Sequence, residues 1–289
     1  MQFTPLTEEQ RESFEHNGFL LLPDALHPAQ VDRLLEVADQ LYEKGKTTDG
    51  LNDRGFWQQR NCLPHDPALL DLVDCPTTVP LVVQLLGHNI QLITSHLVVR
   101  PPIPEGTEPA QMVSGWHRDG GTAPSDLGGA LPRMFIKIGY WLTDLSQTGR
   151  GAIRLIPGSN NLNSPPLGLD RDAPEGAIEL KVKPGTALLF ENRTYHAVGP
   201  NTSRLTRKSL FFGYGYRWIR PMDYMAMPLE LLERCDPVRR QLLGDCTSPM
   251  GFQLPDKDEV PLRTWMEQYT EPPKPRREET PGLFSVKTS

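Results

Sequence analysis

Up to Gly87 the apolar positions recur at helical spacing, and beyond it they alternate. Val31, Leu34, Leu35, Val37, Ala38 and Leu41 fall three and four apart between His27-Pro28 and Gly45, which predicts a surface helix with one buried stripe, ended by the glycine. An earlier helix opens at Thr7-Glu8-Glu9-Gln10, a Thr N-cap with Gln three positions on, and Phe14, Leu20, Leu21 and Leu22 lead into Pro23-Asp24 as a strand-like entry. Two short helices are predicted over 66–73 and 78–86, the second closed by Gly87. From there the period is two, with β-branched and aromatic residues, and strands are predicted over 90–100, 113–118, 134–145, 152–157, 178–183, 187–191 and 209–218. Short strands bounded by Gly, Pro or Asn predict an antiparallel barrel or sandwich. A last helix is expected over 229–243, then a Pro- and charge-rich tail from Pro255 to Ser289 that wraps the surface or is partly disordered.

Long loops over 101–112, 120–133 and 159–176 interrupt the strands, and the first two are expected to shape a pocket mouth. No internal repeat and no second domain is visible. The 289 residues read as a single domain, with a helical flank over 1–88, a β core over 89–220 and a C-terminal helix and tail over 221–289.

Composition narrows the function classes. Twenty-nine prolines and 24 glycines break the chain too often for a helical bundle or a solenoid. Lys plus Arg number 30 against 36 Asp plus Glu, a net charge of −6, which is the opposite of a nucleic-acid-binding footprint. No stretch approaches the ~18 apolar residues of a spanning helix, and the first residues lack the basic start and apolar run of a signal peptide. The expectation is a soluble cytoplasmic protein with neither nucleic acid nor membrane as partner. Cys62, Cys75, Cys235 and Cys246 are too widely spaced for a disulfide framework or a zinc knuckle and read as buried thiols.

The candidate chemistry lies in Trp116-His117-Arg118-Asp119 and, farther on, Tyr195-His196. Residues two apart on a strand share a face, so His117 and Asp119 would set an imidazole beside a carboxylate. A second imidazole from another strand completes a two-His, one-carboxylate triad, which holds Fe(II) on one side and leaves positions open. Taken alone, His-x-Asp is equally a turn or a surface pair. The stretch from His196 ends a strand, turns at Gly199-Pro200-Asn201, and starts the next with Arg207 and Ser209 on one face. An arginine inside a barrel needs an anion, and the far carboxylate of a 2-oxo dicarboxylate suits its planar fork. His16, His27, His65 and His88 read as solvated, while His96, in mid-strand, faces either core or pocket.

In order and spacing these pieces resemble the phytanoyl-CoA dioxygenase family of Fe(II)- and 2-oxoglutarate-dependent oxygenases. The resemblance rests on Phe14-Glu15-His16-Asn17-Gly18-Phe19-Leu20, Trp116-His117-Arg118-Asp119, Gly139-Tyr140-Trp141-Leu142-Thr143-Asp144, Ile156-Pro157-Gly158-Ser159, Pro184-Gly185-Thr186, and His196 followed at an offset of eleven by Arg207. It implies a mainly β fold, a double-stranded β-helix (jelly-roll, cupin-like) barrel flanked by N-terminal helices and one C-terminal helix. It further implies Fe(II) at His117, Asp119 and His196, with the far carboxylate of 2-oxoglutarate at Arg207 and Ser209. Trp141 would lie near that co-substrate, and Arg60 would be a further contact. With O2, such an enzyme oxidises a small-molecule substrate, by default hydroxylating an organic metabolite, and releases succinate and CO2; Asp119 argues against a halogenase. The oligomeric state would be a monomer or a homodimer. Two readings stay beside it: a non-catalytic binding or regulatory barrel of the same fold, and a cupin-type metalloenzyme without 2-oxoglutarate, which would leave Arg207 and Ser209 idle.

Overall fold

The computed structural model describes residues 2–52, 55–109, 114–120, 131–170 and 174–269. Much of the two predicted mouth loops (110–112 and 121–130), the first residue of the strand predicted over 113–118, and the tail beyond 269 lie outside the described residues.

The N-terminal helix α1 (Glu8–Asn17) forms where its cap is encoded: Thr7 accepts from the Gln10 amide and the Gln10 side chain answers at the Thr7 amide. It stops at Gly18, whose φ of 79° returns its N–H to the Phe14 carbonyl. Strand β1 (Phe19–Leu22) follows, then α2 (Pro28–Thr48), capped by the His27 side chain. Next come β2 (Trp57–Arg60), α3 (Pro67–Leu70), α4 (Val79–Leu86), β3 (Ile90–Arg100), β4 (Ser114–His117), β5 (Phe135–Trp141), β6 (Ile153–Leu155), β7 (Ile178–Glu179), β8 (Ala187–Glu191), β9 (His196–Val198) and β10 (Arg207–Tyr216). The chain closes with α5 (Leu229–Leu232), α6 (Pro237–Leu242) and α7 (Pro261–Glu267).

The strands form two sheets, one in the order β1-β8-β5-β10-β3-β2 and one in the order β4-β9-β6-β7, with antiparallel pairings throughout. Neighbours in space are rarely neighbours in sequence, as in a jelly roll. Alternation along each strand decides what each face meets. From β10, Leu210, Phe212 and Tyr214 join Ile136, Ile138 and Tyr140 of β5 in a core with Val31, Leu34, Val82 and Val83 from the helices. The intervening residues, Phe211 of β10 with Leu188 and Phe190 of β8, pack with Ile153 and Leu155 of the second sheet. The helices therefore cover one face of the larger sheet, and its other face looks into the space between the sheets.

Several elements differ from expectation for local reasons. α2 runs past Gly45, because that glycine is a contact surface: a Cβ there would overlap the Trp57 ring. We expect Gly45→Val to destabilise the protein by about 2 kcal/mol or more through overpacking, lowering the melting midpoint by several degrees. An unchanged midpoint would show that Trp57 yields at no cost. The predicted 229–243 helix is two helices, because Asp236 caps a new start, its side chain accepting from the Arg239 amide, with Pro237 at the first helical position. β5, β6 and β7 are shorter than predicted, and β5 ends where the Thr143 hydroxyl takes the Lys208 amide. β2 is a strand that the alternation did not reveal, whereas β9 is the strand end expected before the Gly199-Pro200-Asn201 turn. Part of the expected tail packs closely: Leu262 and Trp265 of α7 are buried, and Tyr269 stacks on Phe3 at 4.6 Å. All four cysteines are free; Cys62 and Cys75 are buried as expected, whereas Cys235 and Cys246 are only half-buried.

Candidate metal centre

β4 and β9 set His117 directly opposite His196, and the two rings lie 4.3 Å apart by centroid. The β4 ladder shifts register between Ser114 and His117, the kind of bulge that re-aims side chains beside active sites. Each imidazole is oriented by a backbone carbonyl two residues back. His117 Nδ1 lies 2.8 Å from the Gly115 oxygen and His196 Nδ1 3.0 Å from the Thr194 oxygen. A carbonyl only accepts, so both Nδ1 atoms carry the proton and both Nε2 lone pairs are left for the site. Asp119, two residues beyond His117, brings Oδ2 to 3.8 Å from His196 Nε2. One ligand atom from each of the three residues falls within 4.8 Å of the other two.

The electrostatics put these groups in the form a metal requires. Burial pulls the His196 pKa down to about 4, only partly opposed by Asp119, so the imidazole is neutral at neutral pH. Burial would raise the Asp119 pKa, but Lys137, His196 and His117 outweigh it and hold the carboxyl well below the usual carboxylate range. Two imidazoles, the buried one neutral, and an ionised carboxylate on one side of a cavity are the donor set of a non-haem Fe(II) site.

The cavity has a volume of about 250 Å³ and is lined from both sheets, by His117, Ile153, His196 and Val198 on one side and by Val98, Arg100, Lys137, Arg207 and Phe211 on the other. Arg207 is 1% exposed. Its Nη1 donates to the Gly151 carbonyl at 2.6 Å and its Nη2 to Ser209 Oγ at 3.2 Å, while Nε has no hydrogen-bond partner. No carboxylate pairs with it among the described residues. Burial and the facing Arg100, which is its partner in the β10–β3 register, lower the Arg207 pKa to about 9. A buried guanidinium without a counter-ion is costly, and an anion entering the cavity would relieve it.

The remaining residues singled out from the sequence separate. Ser209 sits beside Arg207, opposite Trp141. Trp141 is fully buried behind the cavity wall, edge-on to Phe211, with Nε1 unpartnered. Arg60 is exposed at the rim, opposite His96. His96 faces the cavity and stacks on Phe211, with ring centroids 5.3 Å apart. Thr94 Oγ1 donates to Asp223 at 2.8 Å and lies 3.3 Å from His96 Nδ1, so that nitrogen donates to the hydroxyl and Nε2 is left for the cavity. Of the other histidines, His16, His27 and His65 are exposed as expected, and His88 is half-buried.

Lys137 was missed by sequence reasoning. It places Nζ 2.8 Å from Asp119 Oδ2, and its one signal was a lone charge inside the apolar strand Phe135-Ile136-Lys137-Ile138. Arg100, taken only as a strand end, was missed too. A larger concavity of about 640 Å³ lies beyond the end of β10, around Trp218, Tyr224 and Phe252, and among the described residues brings no metal-ligand cluster together.

Known proteins share the family and the fold. The family model for phytanoyl-CoA dioxygenase (PhyH) matches residues 14–209. A probable alpha-ketoglutarate-dependent hypophosphite dioxygenase of Stutzerimonas stutzeri is 30% identical over 240 residues, covering 72% of this chain and 77% of that protein. The dioxygenase cdmD of Talaromyces verruculosus is 29% identical over 143 residues, 47% of this chain and under half (45%) of its own length. Among solved structures, HygX of Streptomyces hygroscopicus with iron bound superimposes with a TM-score of 0.61 at 16% identity, over 78% of this chain and 94% of that one. The epimerase SnoN in complex with Fe3+, alpha ketoglutarate and nogalamycin RO gives 0.59 at 18%, over 77% and 90%. At such identities the likeness carries the fold, a jelly roll. Fold, triad and relatives together define a 2-oxoglutarate-dependent non-haem iron dioxygenase. The chain belongs to the phytanoyl-CoA dioxygenase family. Among the described residues no helix is long and apolar enough to cross a membrane.

Proposed function

We propose that His117, Asp119 and His196 hold Fe(II), that Arg207 with Ser209 binds the far carboxylate of 2-oxoglutarate, and that the enzyme hydroxylates a small organic metabolite, releasing succinate and CO2. The observation that carries this reading is the buried guanidinium of Arg207, with no carboxylate partner among the described residues, in the same cavity as the triad. A cupin-type metalloenzyme or a passive barrel would carry the cost of that cation for nothing. Bound Fe(II) supplies the activation of O2 and the oxidative decarboxylation of the 2-oxo acid.

The chain's own residues bind, orient and exclude water. Gly115 and Thr194 fix the tautomers of the two imidazoles through their carbonyls. Ser209 orients the Arg207 fork by accepting from Nη2. Trp141 backs that subsite as a rigid wall, and Arg60 adds positive charge at the rim. Val98, Ile153, Phe190 and Phe211 form the apolar lining that keeps bulk water from the reacting centre. The free cysteines suit a reducing compartment, and the reading places the enzyme in the cytoplasm as a single domain.

Incubating the Fe(II)-loaded enzyme with 2-oxoglutarate, O2 and a metabolite extract, with hypophosphite as a further candidate, tests the reaction class. Succinate formation coupled to a product heavier by one oxygen is expected. A product lighter by two hydrogens would replace hydroxylation with desaturation, and consumption of substrate without succinate would remove 2-oxoglutarate from the reaction.

A further inference from the structure

The described lining of the cavity holds more positive charge than the proposed co-substrate accounts for. With Arg100 left aside, it carries three cationic side chains, Arg60, Lys137 and Arg207, against one carboxylate, Asp119. A divalent metal raises the imbalance, and a dianionic 2-oxo acid offsets only part of it. The cations also enter from different ends. Arg100 and Arg207 face each other at one end of the β10–β3 ladder. Lys137 leaves β5 opposite Gly213, six residues farther along β10, roughly 20 Å at strand rise. The far-carboxylate subsite at Arg207 therefore leaves Lys137 to another group.

Lys137 has one ion-pair partner among the described residues, Asp119 Oδ2. That same oxygen approaches His196 Nε2, so it is the oxygen turned toward the triad. A metal held there takes up the carboxylate charge that now balances the ammonium. The ammonium, 14% exposed and opposite Phe190 in the β5–β8 register, then lacks a full counter-charge. His96 stands in the same cavity with Nε2 free to accept, its Nδ1 tied through Thr94 to Asp223. Burial, with Lys137 and Arg60 adding to it, keeps that imidazole uncharged.

Resting on the metal and co-substrate assignment above, we infer that the prime substrate is an anion, its negative group held by the Lys137 ammonium and a hydroxyl or other donor on it accepted by His96 Nε2. Hydroxycarboxylates and protonated oxyanions have this chemistry; neutral or cationic metabolites do not. Lys137 is thus a specificity-determining residue.

The test is calorimetric, on the anaerobic Fe(II)- and 2-oxoglutarate-loaded enzyme, titrated with glycolate, phosphite and acetate and with the neutral ethylene glycol and acetamide. Measurable binding of an anion and at least about tenfold weaker binding of the neutral compounds are expected. The anion should lose about tenfold or more in Lys137→Met and about threefold or less in Lys137→Arg, each titrated on enzyme matched for bound iron and saturated with 2-oxoglutarate. Equal binding of anions and neutral compounds, no anion binding at all, or an anion affinity unmoved in Lys137→Met overturns the inference. The wild-type comparison decides it even if the methionine variant does not fold. Failure of 2-oxoglutarate to bind the iron-loaded wild type would instead overturn the assignment beneath it.

Discussion

Replacing His196 with alanine is expected to abolish iron-dependent turnover and to weaken iron binding by more than a hundredfold. Loss of groups that merely orient a ligand already costs ~10–100-fold in metal affinity, and His196 is one of three candidate protein donors among the described residues. The same holds for Asp119→Ala, where the lost carboxylate also leaves Lys137 unpaired. His117→Ala separates ligation from folding best, because that imidazole is exposed and its loss opens no core cavity. Its far-ultraviolet circular dichroism and melting midpoint should match the wild type while bound iron, measured after gel filtration, falls to background. Full iron occupancy with turnover in any of the three variants would remove that residue from the metal centre.

Exchange of Arg207 for methionine is expected to raise the 2-oxoglutarate requirement by at least tens-fold while iron binding is little changed. Removing one member of a buried charge pair costs about 2–5 kcal/mol in complexes, and here the co-substrate's carboxylate would be the unpaired charge. The effect on the free protein should have the opposite sign. Without ligand Arg207 is a desolvated cation, its pKa drawn down to about 9 by burial and Arg100, so an isosteric apolar side chain should leave the apoprotein as stable or more stable. Thermal melting then distinguishes the two states. The wild type gains stability on adding metal and 2-oxoglutarate, and Arg207→Met gains much less. Ser209→Ala, which removes one neutral hydrogen-bond acceptor from the guanidinium, should weaken the co-substrate by about tenfold or less. An Arg207→Met enzyme with unchanged co-substrate affinity would move the anion site to Arg100 or Arg60.

How much of this was legible from residues alone follows from how local each signal is. β3 and β8 fall where the apolar runs put them, and α1 begins at its capping box, because strand alternation and capping are written within a few adjacent residues. β2 was lost for the opposite reason: Trp57-Gln58-Gln59-Arg60 has one apolar side chain and is a strand only because β3 lies beside it. The break at Asp236-Pro237 was legible but overridden by apolar spacing that continues across it. His117 and Asp119 were legible as a pair through two-residue spacing, and His196 through its offset to Arg207. The face of His96 was not, because β3 is buried on both sides and gives no polar alternation to orient it. Lys137 is the clearest limit. Its one local mark is a lone charge in an apolar strand, and only the pairing of β5 with β8 and β10 turns it toward Asp119.

One measurement reaches the central claim without passing through activity: a crystal structure of the enzyme loaded anaerobically with Fe(II) and 2-oxoglutarate. A single iron bound by His117 Nε2, His196 Nε2 and an Asp119 oxygen, with the far carboxylate of 2-oxoglutarate on the Arg207 guanidinium and Ser209 Oγ, is the predicted result. Iron held by other side chains, or 2-oxoglutarate anchored away from Arg207, would contradict it.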